Sequence, residues 1–153
     1  MKIKIFNIIL LFLLTSQVCL SQGGNQELHE NYYLTELRGD ISLEMEINNL
    51  ESNKGPIYIR ILDENENPVI VGTSPVINYS AEISFDSISP GKYAIQFFHD
   101  ENENQKMDFN LIGIPKEKFG SSNNVKPVLG PPKFEKMLFN LTENKKIIMI
   151  PVN

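Results

Sequence analysis

Cysteine occurs once in the 153 residues and histidine twice. With Cys19 alone there can be no internal disulfide, and no Cys/His cluster of the kind that holds structural zinc can be written. Positive charge is also short: 14 Lys and Arg stand against 19 Asp and Glu, a formal net charge of −5. That balance argues against nucleic acid as a partner. Long apolar runs are missing beyond residue 14, and no stretch shows sustained helical spacing with caps. No serine has a partnered histidine in a recognisable arrangement, and no phosphate-cradling glycine loop precedes a helix. The usual enzyme signatures are absent.

What is present begins with an address. Residues 1–21 carry Lys2 and Lys4, an apolar run from Ile8 to Leu14, then small and polar residues. This is a secretory signal pattern, too short for a comfortable membrane span of roughly 20 residues. A lipid-modified Cys19 is the alternative, but the preceding Ser16-Gln17-Val18 lacks the small residues expected there. Export to the periplasm or outside the cell follows, with no integral membrane segment in the mature chain. Removal of residues 1–21 leaves 132 of the 153, with 12 of the 14 basic residues and all 19 acidic ones, a formal charge of −7. That length supports one domain.

Residues 22–38 are polar apart from Tyr32-Tyr33-Leu34 and read as a flexible leader, followed by a domain over 39–153. From Asp40 the pattern is alternation: Ile41, Leu43, Met45 and Ile47 share one face, and Ile57, Ile59 and Ile61 repeat it. Period two of this kind marks half-buried strands. EISFDSI and GKYAIQFF follow, with NKGP, DENENP and SPG as turns between. KFEKMLFNL and KKIIMIPV read as two further strands, the first with a bulge, and GPPKF as a rigid lead-in to an edge strand. Six to eight short strands predict a single antiparallel β-sandwich, with a closed barrel as runner-up.

The pentapeptide DENEN occurs twice, at 63–67 and 100–104. In the second copy Asp100, Asn102, Asn104, the Lys106 carbonyl and Asp108 fall at alternate positions, the spacing of a calcium loop. Gln105 stands where such loops carry glycine, and Leu111 where an EF-hand has its bidentate glutamate. With two carboxylates in the ligand set, further oxygens must come from elsewhere, such as Glu117. Weak calcium binding and a loop pinned by its own side chains are the two expectations. In the first copy Pro68 and Val71 occupy positions six and nine, so it reads as a hairpin turn stabilised by side chain to backbone bonds.

His99 falls on the same strand face as Tyr93, Ile95 and Phe97, which predicts a core-edge histidine donating to a backbone carbonyl. The functional alternative is an envelope hydrolase gathering His99, Asp100 and Glu117. His29 lies in the leader and anchors nothing definable. The segment Gly113–Asn124 is a long polar connector, expected to pack Ile114 and Phe119 over one end of the sandwich while Glu117 and Asn123 bond backbone groups.

Together, PGKYAIQFFHDENENQKMDFNLIGIPKEKFGSSNN and GPPKFEKMLFNL resemble the exported bacterial family known as domain of unknown function 2141, from about Asp40 to Val152. Its usual forms are HDxNxNGxxD, GIPxExxGFSNN and GPPxF, and the chain departs at Gln105 and at Ser121. The resemblance implies a small β-sandwich and supplies no reaction. FDSISPGKYAIQF is also similar to the strand openings of transthyretin-like and carboxypeptidase-regulatory-like sandwiches, many of which are accessory binding or spacer domains. A non-catalytic module is the resulting expectation, binding an unidentified ligand, protein or carbohydrate, at the cell envelope.

Overall fold

A computed structural model describes residues 32–33, 39–128 and 130–152. The segment read as a signal and most of the stretch read as a leader lie outside these residues. The strands are β1 (Tyr32–Tyr33), β2 (Ile41–Ile47), β3 (Pro56–Asp63), β4 (Pro68–Pro75), β5 (Ala81–Ile88), β6 (Gly91–His99), β7 (Phe119–Ser121), β8 (Phe139–Leu141) and β9 (Lys145–Met149), with one short helix, α1 (Phe134–Met137). They form two sheets. One runs β1-β4-β3-β6-β7, with β8 also on β6, and the other runs β5-β2-β9. The result is an all-β sandwich, as the alternation predicts.

The inner faces supply the core. Leu43, Met45 and Ile47 from β2 are buried together with Ile57, Ile59 and Ile61 from β3, Phe85 from β5 and Ile95 and Phe97 from β6. Strict alternation fails in β5, where Ile83, Phe85 and Ile88 are buried, because the pairing with β2 shifts register between Ile41 and Leu43. Ser87 takes a φ of 62° there. This is a bulge that restores the inward aim of the last residue.

One local expectation is corrected, and two pairings add detail to the sandwich. KFEKMLFNL is not one bulged strand: Phe134–Met137 form a helical turn and only Phe139–Leu141 extend the sheet. The turn places Met137 against Leu62 and Ala94 on the outer face of the larger sheet, a second small apolar cluster. Strand pairing is also mixed, since β9 runs parallel to β2 while the other partnerships in the sandwich are antiparallel. A parallel neighbour leaves no short-range signal, because no tight turn joins the two strands. Finally, Tyr32–Tyr33, within the stretch read as a leader, pairs antiparallel with Ile70 and Val71 of β4.

Candidate cation loop and its supports

The loop starts where β6 leaves the sheet beside the start of β3. The Asp100 N–H donates to the Pro56 carbonyl at 3.0 Å. His99 Nε2 lies 2.7 Å from the Lys54 carbonyl, and since a carbonyl can only accept, the proton sits on Nε2. Between these two bonds lies Gly55, at a φ of 68°, where any Cβ would overlap the Asp100 carbonyl. Only glycine fits such a close approach of two main chains. Both His99 and Asp100 are fully buried.

From this anchor the chain coils on itself. The Asp100 carboxylate accepts the Asn104 N–H at 3.1 Å and the Gln105 N–H at 2.7 Å. Asn102 Oδ1 accepts Asn104 N–H, and Asn104 Oδ1 accepts Lys106 N–H. The amide groups of Asn102 and Asn104 both donate to Asp108 Oδ2, at 2.8 and 2.9 Å. These bonds, the Asn102 one first, hold the Asp108 carboxyl below the usual range. So Asp100, Asn102, Asn104 and Asp108 are joined in one network, and Lys106 enters it through its N–H.

The two DENEN copies share a backbone. Asn67 N–H donates to Asp63 Oδ1 as Asn104 N–H does to Asp100, and Glu66 and Glu103 both sit at positive φ, 65° and 58°. The divergence comes at the sixth residue. Pro68 turns the first copy directly into β4, whereas Gln105 adopts a φ of 62° and carries the chain around toward Asp108. Position 105 therefore demands the conformation that glycine provides most cheaply, and glutamine occupies it under strain.

Glu117 closes the loop from the following segment. Its Oε2 accepts the Asp108 N–H at 3.1 Å, while Oε1 is buried without a hydrogen-bond partner. Burial pushes this carboxyl up to about 7. The Asp108 N–H opposes the rise, and the Asp100, Asp108 and Glu101 carboxylates add to it. Four carboxyl groups, of Asp100, Glu101, Asp108 and Glu117, thus lie at the same end of the sandwich. Among the described residues no three His, Cys, Asp or Glu side chains are already drawn together as a metal-ligating set.

Of the hydrolase trio, Asp100 is committed to backbone amides and His99 to the Lys54 carbonyl. His99 Nδ1 has no hydrogen-bond partner, and the nearby carboxylate is that of Glu101, at 3.7 Å, which was not among the expected residues. The long connector holds two further surprises. Ile114 is about half exposed rather than packed over the core, and Phe119 belongs to β7. Glu117 and Asn123 do bond backbone groups, Asn123 donating to the Lys136 and Leu138 carbonyls.

Sequence reasoning missed Ser122 and Asn124. The buried Ser122 hydroxyl accepts the Ile95 N–H and donates to the Met137 carbonyl at 2.6 Å. Asn124 Oδ1 accepts the Ile150 N–H. The signal available was Ser-Asn-Asn itself, since asparagine tolerates positive φ and both Asn123 and Asn124 adopt it.

These features define an all-β sandwich carrying an Asx-rich, acid-faced loop where two strands meet at one end. The profile of a family described as uncharacterised and conserved in bacteria, DUF2141, matches residues 45–149, and the chain belongs to that family. No curated protein and no solved structure shows significant similarity to it.

Proposed function

We propose that the protein is an exported, non-catalytic binding or accessory module of the cell envelope whose Asp100–Asp108 loop takes up calcium weakly. The observation that carries this reading is Glu117, buried with one oxygen unpartnered beside the loop. A buried carboxylate oxygen without a partner is costly, and a cation relieves it. Calcium takes six to eight oxygens. Asp100, Asn102, Asn104, the Lys106 carbonyl and Asp108 offer donors from the loop, and Glu117 extends the set. Binding would release the two asparagine amides from Asp108 Oδ2 and draw the carboxylates inward.

The competing hydrolase reading fares less well on the same geometry. A general base needs a free nitrogen within reach of its proton donor; Nδ1 of His99 is free, but the residue is fully buried, out of reach of a substrate in solvent. That placement suits a residue that fixes the root of the loop.

Calorimetric titration of calcium into chelator-stripped protein spanning residues 22–153 tests the reading. The core is built entirely from residues 41–149, so this chain retains the described fold. Saturable heat is expected, with a dissociation constant of roughly 10⁻⁴–10⁻³ M as in other extracellular calcium modules. The Asp100→Ala, Asp108→Ala double variant should lose it, and Gln105→Gly should bind more tightly by relieving the strained φ. Absence of saturable heat up to about 10 mM calcium, beyond that affinity range, contradicts the proposal.

A further inference from the structure

Beyond Asp108 the chain projects as a narrow hairpin. Phe109 and Pro115 form an antiparallel bridge, and the Lys116 N–H donates to the Asp108 carbonyl at 2.9 Å. The seven residues from Phe109 to Pro115 contain no charge. Four are large and apolar, and all four lie open to solvent: Phe109 at 39 %, Leu111 at 106 %, Ile112 at 80 % and Ile114 at 49 % of full exposure. Isolated exposed apolar residues need no explanation, but a contiguous group at the tip of a projection does.

The tip is wired against desolvation. Asn110 Oδ1 accepts the N–H groups of both Ile112 and Ile114. The Asn110 carbonyl accepts the Gly113 N–H, and the Asn110 N–H donates to the Ile114 carbonyl. Pro115 has no N–H to satisfy. Such a turn can enter an apolar medium without leaving those amides unpaired, the condition that hydrocarbon imposes on any backbone.

At its base stand Lys106 and Lys116, both exposed and both close enough to Asp108 to act on its carboxyl. They flank the uncharged stretch, with Asp108 between Lys106 and Phe109, so the base carries mixed charge. Lysines at this level suit phosphate headgroups, while the apolar apex suits the acyl boundary. A stable protein partner would need roughly 800 Å² from each side, far more than a turn of this size offers. Strand addition would need unpaired amides, and those of the tip are largely used. A bilayer makes neither demand.

We propose that the hairpin tip Phe109–Pro115 is a membrane-surface anchor, in which Leu111 and Ile112 enter the interface of a lipid bilayer while Lys106 and Lys116 lie at headgroup level. Association through one small tip is weak and reversible. It does not depend on calcium.

The chain contains no tryptophan, so Leu111→Trp places a single reporter at the apex. Protein spanning residues 22–153 and carrying this substitution is mixed, in chelator, with vesicles of phosphatidylcholine containing about a third phosphatidylglycerol, whose negative surface attracts lysines. The indole emission should shift to the blue as lipid is added. In flotation, the unsubstituted chain should rise with the vesicles, and Leu111→Asp, Ile112→Asp should reduce the bound fraction about tenfold. Both positions are exposed, so the melting temperature of that variant should match the parent. Unshifted emission up to roughly 5 mM lipid, above the range in which a single acyl chain partitions, overturns the proposal and leaves the tip to a protein partner. Equal flotation of the aspartate variant overturns it as well, because binding then lies outside the tip.

Discussion

Glu117 is a carboxyl that the fold prefers to keep protonated. Burial lifts it from 4.5 to about 7, so the native state holds this proton more tightly than the unfolded chain. The stability from that preference is complete below about 4.5 and is lost as the pH rises through 7. In chelator, the protein should therefore be more stable at pH 5 than at pH 7.5, by a margin on the order of 2 kcal/mol from this group once solvent screening at the end of the sandwich is allowed for, and should melt at a higher temperature there. Glu117→Gln should flatten that dependence across the same window. A wild-type slope that survives the substitution would place its origin in another group. At this scale the sequence was partly legible. Alternation placed His99 inward, and the alternate spacing of acids and amides picked out four residues that do form one network. Nothing local could show that Glu117 would bury with an orphaned oxygen, because its environment is made by a loop nine residues earlier.

At the scale of elements, the Ser122–Asn124 turn clasps the connector to both sheets. Ser122 joins β6 to α1, Asn123 grips the end of α1, and Asn124 holds Ile150 just beyond β9. Ser122→Ala would leave the Ile95 N–H and the Met137 carbonyl unpaired inside the protein. We expect a loss of about 2–3 kcal/mol, read as a lower denaturation midpoint with an unchanged slope. A loss below about 0.5 kcal/mol would mean that water replaces the hydroxyl at both groups. Strands with one buried face were readable from period two, as in β2 and β3. KFEKMLFNL misled because its apolar residues serve two different surfaces: Met137 covers the outside of the larger sheet, whereas Phe139 and Leu141 enter the main core. A single period cannot describe a segment that changes sides.

At the scale of the molecule, two sheets without disulfides among the described residues enclose one apolar core, and the segments before β3 and after β6 meet at one end of it. The sandwich was legible because most of its strands bury one face. The parallel pairing of β9 with β2 and the partnership of Tyr32–Tyr33 with β4 were not, since both depend on contacts distant in sequence. The same end carries the acid-faced loop and the projecting tip, so an ion ordering the first would stiffen the root of the second. Calcium uptake by the loop is read residue by residue in amide ¹H–¹⁵N spectra of the chain from residue 22, recorded as calcium is added to about 10 mM, a range that covers weak extracellular sites. Saturable shifts centred on residues 100–108 and on Glu117 are expected, with the three-stranded sheet unmoved. Shifts that never saturate, or that scatter over the acidic surface without favouring the loop, would contradict uptake there.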